Sequence, residues 1–161
     1  MKECIALALL LALLLTGCGG PGAAGARAGT ESRGTSGRVE ALPDEWGLTL
    51  TAEDVTPMGL NLHLAQSGGQ PTGELETGSC FWLERESGGA WTELEPLAED
   101  PAWTMEAYLI RAEGDTELEV KWAALYGELP AGSYRLGKEV TDFRAAGDFD
   151  RRTYYAYFTV A

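Results

Sequence analysis

Two short runs, residues 48–51 and 60–65, place leucine at every second position, with threonine, asparagine, histidine or alanine between the leucines. A period of two puts these leucines on one face of a β-strand and the intervening residues on the other. Residues 56–59, Thr-Pro-Met-Gly, lie between the runs and are typical of a turn. The pattern predicts an antiparallel hairpin with one leucine face and one polar face.

The run 79–86 predicts a further strand, but with large apolar side chains on both faces. Phe81 and Leu83 share one face, and Cys80 and Trp82 share the other. Such a strand is typical of the middle of a sheet. The pattern does not tell which of its faces packs into the core.

Several more strands follow with the same period. We predict strands at 91–95, 103–110 and 118–122, and a final one at 154–160, while 123–126 either continues the preceding strand or forms one helical turn. No segment has a helical period with caps. About eight short strands separated by glycine and proline predict an all-β fold, a sandwich or a barrel.

The first residues have a different pattern. Lys2 precedes an unbroken apolar run, 5–15, which has the length of a signal-peptide core and is too short to span a bilayer as a helix. The residues that follow, Leu-Thr-Gly-Cys at 15–18, resemble the lipobox of bacterial lipoprotein precursors. The resemblance implies that a diacylglyceryl group is attached to Cys18 and that the chain is cut just before it.

These features divide the chain into three parts: a signal peptide at 1–17, the lipidated cysteine and a flexible linker at 18–45, and a domain at 46–161. The linker is rich in Gly, Ala, Ser, Thr and Arg and has little to bury. The domain is large enough for a hydrophobic core. We expect an extracytoplasmic protein that is held to the bacterial cell membrane through the lipid on Cys18.

The net charge of −13 restricts the classes of molecule that the protein is expected to bind. Because the acidic residues concentrate in the domain, we expect it to be repelled by nucleic acid and by anionic lipid surfaces. Cys80 would be the one cysteine besides Cys18 in the mature chain, so no intrachain disulfide is expected, and Cys80 is predicted to be a small buried residue in a strand. The single histidine, His63, is predicted to be a solvated surface residue.

No catalytic pattern is present in the sequence. There is no Gly-x-Ser-x-Gly motif, no cluster of histidine and cysteine with metal-ligand spacing, and no glycine-rich phosphate loop. We therefore expect neither an enzyme nor a bound cofactor or metal.

The segment 126–138 carries a family resemblance. Leu129, Gly132 and Tyr134 form a Leu-x-x-Gly-x-Tyr pattern that resembles the turn into the penultimate strand of immunoglobulin-like domains. Together with Gly-Leu-Thr-Leu from Gly47 and Tyr-Arg-x-Gly-Lys from Tyr134, the domain resembles a bacterial immunoglobulin-like family of secreted proteins and lipoproteins. The resemblance implies an immunoglobulin-like antiparallel β-sandwich, a core leucine, and a tyrosine hydroxyl that bonds back to the backbone.

Residues 140–152 are long for a hairpin connection, and we predict a loop that contacts a partner. Tyr155 and Tyr157 would form an aromatic stripe on the next strand. Exposed aromatic residues beside arginine are typical of protein contacts, although the phenylalanines of the loop also suit anchors that pack inward. The candidate binding surface consists of Phe143, Arg144, Phe149, Arg151, Tyr155 and Tyr157.

The sequence thus indicates a lipid-anchored, non-catalytic immunoglobulin-like module that binds a protein or another ligand at the cell surface. One alternative is a structural spacer or accessory subunit of an envelope complex. Another is a calcium-responsive module, since Asp142, Asp148 and Asp150 offer oxygen ligands of the kind that calcium prefers.

Overall fold

The computed structural model describes residues 44–161, and within this range the chain forms nine β-strands and one helical turn. The elements are β1 Leu48–Thr56, β2 Gly59–Gln66, β3 Glu74–Gly78, β4 Trp82–Ser87, β5 Ala90–Glu93, β6 Ala107–Leu109, β7 Gly114–Lys121, α1 Ala123–Tyr126, β8 Gly132–Ala145 and β9 Asp148–Val160.

The first sheet has three antiparallel strands in the order β1-β2-β7. The predicted leucine hairpin forms its first two strands, with Leu50 opposite Leu64. The leucines of both strands are buried, whereas the alternate positions face outward. The hydroxyl of Thr56 closes the turn by donating to the carbonyl of Gly59 and accepting from its N–H. The hairpin prediction is confirmed.

The second sheet has six strands arranged around β8. On one side, β9 pairs with β8 along its whole length, from Gly132 opposite Val160 to Ala145 opposite Asp148. On the other side, β4 and β3 lie one after the other, β4 against residues 134–137 and β3 against residues 140–143. The outer strands are β5 next to β4 and β6 next to β3.

The two sheets pack face to face and enclose one hydrophobic core. Trp122 stacks on Phe158 with ring centroids 5.4 Å apart, and Phe158 stacks on Tyr134 at 5.6 Å. In the final strand the alternate residues Ala156, Phe158 and Val160 are buried and face the core. The predicted all-β sandwich is therefore confirmed.

The turn before β8 has the features that the Leu-x-x-Gly-x-Tyr pattern implied. Leu129 is buried in the core, Gly132 begins β8, and Tyr134 is almost fully buried. The hydroxyl of Tyr134 donates a 2.7 Å hydrogen bond to the carbonyl oxygen of Pro130. This is the backbone contact of a tyrosine corner.

The open question about residues 79–86 is settled by burial. Phe81 and Leu83 point into the core, and the Trp82 side chain lies on the outer face of the six-stranded sheet. The strand starts at Trp82, so Cys80 lies in the connection before it and is half-buried. Its placement within a strand was wrong, because the carbonyls of Gly78 and Cys80 both turn toward the ammonium group of the buried Lys138.

Two other predicted strands differ. The run predicted at 103–110 is a strand only at Ala107–Leu109. The Trp103 ring packs edge-on against Phe81 at 5.2 Å, and the carbonyl of Thr104 accepts a hydrogen bond from the hydroxyl of Ser79, so side-chain contacts rather than strand pairing hold these residues. Of the two possibilities left open for residues 123–126, the helical turn is the one that forms.

The described residues contain no helix that is long and apolar enough to cross a membrane. The predicted signal peptide at 1–17, the lipidated Cys18 and most of the linker at 18–45 lie outside the described residues.

Candidate functional site

The segment 140–152, predicted to be a loop, forms the turn end of the β8–β9 hairpin, with a register shift between Phe143 and Ala145. β8 runs on to Ala145 and β9 starts at Asp148, with Gly147 at φ +80° in the tight turn between them. The loop prediction was wrong because the length of the connection was taken for irregular backbone, whereas the two strands extend through its charged residues. One of them, Asp142, is only 1% exposed and has partners that make a strand possible.

Asp142 fastens the loop 67–73 to β8. One carboxylate oxygen accepts from the N–H and hydroxyl of Thr72, at 2.7 and 2.9 Å, and the other from the N–H of Gly73 at 2.6 Å. Burial alone would raise the pKa of Asp142, but these hydrogen bonds and the charge of Arg144 lower it below its usual range. The carboxylate therefore stays ionised inside the hairpin.

Arg144 is the centre of the charges at the hairpin end. Its guanidinium lies 2.8 Å from Asp148, 2.9 Å from Asp150 and 3.6 Å from Asp142, and it also donates to the hydroxyl of Thr72. The three carboxylates proposed as calcium ligands thus surround a side-chain cation. Among residues 44–161, no group of three or more His, Cys, Asp or Glu side chains is arranged to hold a metal ion.

The two phenylalanines face each other across the hairpin at paired positions of β8 and β9. Phe143 is half-buried and Phe149 is 38% exposed. The guanidinium of Arg151 covers the Phe149 ring at 4.7 Å and lies 3.4 Å from the carboxylate of Glu139. The phenylalanines therefore do not pack into the core as loop anchors but lie on the outer side of the hairpin.

The candidate residues divide into two groups. Phe149, Arg151, Tyr155 and Tyr157 alternate along β9 and share its outer face, and Phe143 shares this face on β8. Arg144 points to the opposite side. Because a strand rises about 3.4 Å per residue, Tyr155 lies roughly 20 Å and Tyr157 roughly 27 Å from Phe149. The structure brings the tyrosines close to side chains that the sequence did not single out.

We name this second group the aromatic face: Trp82, Trp91, Arg135, Tyr155 and Tyr157. These side chains cover the outer side of the six-stranded sheet where β5, β4, β8 and β9 run side by side. The Trp91 ring meets Tyr157 edge-on at 5.6 Å, and Trp82 meets Tyr155 edge-on at 6.1 Å. Tyr157 is 55% exposed, and the other three rings are half-buried.

Arg135 lies at the centre of the aromatic face. Its guanidinium carbon is 4.0 Å from the Tyr155 ring centre and 4.8 Å from that of Trp91. Its Nε donates to Glu84 at 2.8 Å, and the same carboxylate accepts from the indole of Trp82 at 3.1 Å. Burial alone would lower the pKa of Arg135, but the hydrogen bond and charge of Glu84 raise it. The side chains are thus held in one arrangement by mutual contacts.

Gly137 makes room for Trp82. A Cβ atom at position 137 would lie 2.1 Å from Cε2 of the indole and 2.4 Å from its Cζ2 and Nε1. The indole therefore lies flat over the glycine backbone of the neighbouring strand. A glycine inside a predicted strand indicates such a close approach, and this signal points to Trp82, which sequence reasoning left out of the candidate surface.

The first described residues contact the inner side of β9. Asp44 accepts hydrogen bonds from Tyr154 at 2.6 Å and from Arg152 at 3.0 Å, and Glu45 also binds Arg152. The Arg152 guanidinium lies 4.4 Å from the ring centre of Trp46. We call these five residues the N-terminal clamp.

His63 lies on the outer face of the three-stranded sheet, as its alternation predicted. It is not fully solvated, however, because its Nε2 is 3.3 Å from the Asp115 carboxylate and its side chain is half-buried.

This fold agrees with a known protein family. The family described as bacterial Ig-like domain matches residues 44–159, which is nearly the whole described range. Searches of the curated proteins and of the solved structures found no match. The match covers well over half of the chain and agrees with the sandwich and the tyrosine corner. The chain therefore belongs to the bacterial Ig-like domain family.

Proposed function

We propose that the protein is a non-catalytic binding module, anchored outside the cell membrane by a lipid on Cys18, and that the aromatic face contacts its partner. Domains of this family are generally non-catalytic and typically surface-exposed, which supports the class of function. The lipobox-like residues 15–18 support the anchor. Two or more acyl chains hold a protein at a membrane far better than one.

The arrangement around Arg135 is the observation that carries this proposal. Tryptophan, tyrosine and arginine are the residues that contribute most to binding at protein interfaces. Here four rings and a guanidinium lie on one side of a sheet and fix one another, so little side-chain entropy is lost when a partner binds. Phe149 and Arg151 lie further along the same outer side and extend the surface toward the hairpin end.

Capture from intact bacterial cells tests the proposal. The full-length tethered protein is crosslinked in parallel with the variant Trp91→Ala/Tyr157→Ala, which removes the exposed Tyr157 ring and the half-buried Trp91 ring against it but leaves Arg135 paired with Glu84. Leu97→Ala/Met105→Ala is the matched control, because these side chains are also apolar and highly exposed. Melting temperatures must first show that all three proteins fold.

We expect the native protein and the control to capture the same partner and the aromatic variant to lose most of it. Equal capture by all three proteins would show that the contact lies elsewhere. If none captures a partner, the spacer or accessory-subunit alternative is favoured, since the same internal contacts also suit a rigid sheet with no ligand.

The calcium-responsive alternative has a separate test. Because the Arg144 guanidinium lies among Asp142, Asp148 and Asp150, we expect calcium added after EDTA to leave the melting temperature unchanged. A ligand that binds only the folded state raises that temperature, so a calcium-dependent rise would contradict this expectation.

A further inference from the structure

The strand β7 is at the edge of its sheet. In the described part of the chain the order is β1-β2-β7, and β7 pairs with β2 along its whole length, from Gly114 opposite Gln66 to Lys121 opposite Gly59. The other side of this eight-residue strand has no strand neighbour there. An unpaired strand edge is a template for the addition of another extended chain.

A groove of about 590 Å³ follows this edge. One wall consists of five consecutive residues of β7, from Glu117 to Lys121. Since consecutive residues of a strand point to opposite faces, a groove that touches all five must run along the backbone edge rather than over either face. The facing wall comes from the connection before β4, from the chain before and within β6, from α1 and from β8, and it includes Ser79, Phe81, Ala102, Trp103, Tyr108 and Lys138.

We propose that this groove binds an extended, basic segment of a partner protein, which adds to β7 as a strand. Five residues of β7 span about 17 Å, enough for a five-residue segment to pair. Side chains of the segment that point inward would meet Phe81, Trp103 and Leu118. Those that point outward would lie beside the exposed side chains of β7.

The charges of β7 decide which occupant fits. Asp115, Glu117 and Glu119 project from the outer face of the strand, and Lys121 is 2.8 Å from Glu119. If a second copy of this chain paired edge to edge, its carboxylates would lie beside these and repel them. A segment with lysine or arginine at alternate positions gains opposite-charge pairs instead. The net charge of −13 also attracts such a segment over longer distances.

A peptide-binding measurement on the purified full-length protein tests this. The probe is a labelled ten-residue peptide in which lysine alternates with valine, and its binding is followed by fluorescence anisotropy. Two further peptides replace the lysines with glutamate or the valines with proline. Proline keeps the charge but removes backbone donors and so prevents strand pairing. We expect only the lysine–valine peptide to bind.

Matched variants locate the site. Glu117→Lys/Glu119→Lys should weaken binding about tenfold through two reversed cross-strand pairs. Glu53→Lys/Glu86→Lys makes the same change in charge at exposed positions on other strands and should have no effect. Ala102→Trp narrows the groove from the facing wall and should abolish binding at an unchanged melting temperature. Amides of β7 should gain protection from hydrogen exchange when the peptide is bound.

Several results would overturn the proposal. Equal binding of the proline peptide would show that charge alone acts, without strand pairing. Equal weakening by Glu53→Lys/Glu86→Lys would show that the acidic surface as a whole attracts the peptide. A dimer in sedimentation velocity that Ala102→Trp dissolves would assign the groove to a second copy. Tighter peptide binding by a variant with Arg27, Arg33 and Arg38 changed to Gln would assign it to the chain's own N-terminal segment.

Discussion

The hydroxyl of Tyr134 makes one hydrogen bond, to the carbonyl of Pro130, while its ring stacks on Phe158 in the core. Tyr134→Phe removes the hydrogen bond and keeps the ring, so we expect the free energy of unfolding to fall by about 1 kcal/mol. Urea unfolding should show a lower midpoint at an unchanged slope. Tyr157→Phe, at an exposed tyrosine, is the control. Equal midpoints for the native protein and Tyr134→Phe would mean that the corner contributes nothing to stability.

Asp142 should make stability depend on pH. Burial raises the pKa of Asp142, but its hydrogen bonds to Thr72 and Gly73 lower it more, below the ordinary value of 3.8. A carboxyl group with a lowered pKa in the folded state stabilises the fold above the unfolded pKa, and this contribution is lost as the pH falls through the folded pKa. Stability should therefore fall as the pH is lowered below about 4.

The variant Asp142→Asn isolates this contribution. It should be less stable than the native protein at pH 7, and its stability should fall less steeply in acid. Asp44, whose pKa is also lowered despite burial because it binds Tyr154 and Arg152, accounts for part of the remaining slope. Urea unfolding of both proteins from pH 2.5 to pH 7 measures the difference. Parallel curves would assign the acid sensitivity to other carboxylates.

Local patterns identified some of these residues and not others. The roles of Leu129 and Tyr134 could be predicted because the residues that form the tyrosine corner lie within six consecutive positions. The role of Asp142 could not, because its partner Thr72 is 70 positions away in the chain. Arg135 was missed for the same reason, since Glu84 and Trp91 reach it only through pairing of distant strands.

The contact between β4 and β8 depends on the glycine under Trp82. Gly137→Ala would place a methyl group 2.1 Å from the indole, so the ring must move, and we expect a cost of about 2 kcal/mol. In the double variant Trp82→Ala/Gly137→Ala the clash is absent, and much of this cost should be recovered. A double-mutant cycle from urea unfolding measures the coupling. Strictly additive effects would contradict the close packing.

The alternation of apolar and polar residues predicted where strands occur, but it did not predict which strands pair with each other. The leucine runs predicted β1 and β2, and the alternation at 118–122 predicted the second half of β7, because one buried face leaves a clear period of two. The end-to-end placement of β3 and β4 along β8 has no signal in a single sequence. The sequence also did not show how far β8 and β9 extend toward their turn. The aspartates near the turn are neutralised by Arg144 only once the hairpin has formed, so their charges did not suggest a strand.

The proposed lipid anchor concerns the chain as a whole, and its test can be separated from the fold. Cys18→Ser should move the protein from the membrane fraction to the supernatant and abolish its labelling by palmitate. Cys80→Ser is the matched control, since Cys80 lies in the sandwich and should leave both properties unchanged. Membrane retention of Cys18→Ser at full strength would contradict lipid anchoring at this residue.

For the molecule, composition and period were sufficient to predict an all-β fold, either a sandwich or a barrel, and the resemblance carried by the Leu-x-x-Gly-x-Tyr pattern together with the other short motifs selected the sandwich and the family. The candidate surface was predicted in part. Tyr155 and Tyr157 do lie on an outer sheet face, but their neighbours come from three other strands. Periodicity within each segment does not show how distant segments assemble into one surface.

Under the proposed anchoring at Cys18, the N-terminal clamp would determine where mechanical load enters the domain. In a chain anchored at Cys18, any pull between the membrane and a bound partner arrives at Asp44. The hydrogen bonds of Asp44 and Glu45 transmit this force to Arg152 and Tyr154, in the middle of β9, before it acts on the first residues of β1. Tension is thereby shared across β8 and β9, whose many lateral hydrogen bonds resist it together, instead of peeling β1 from β2 one bond at a time.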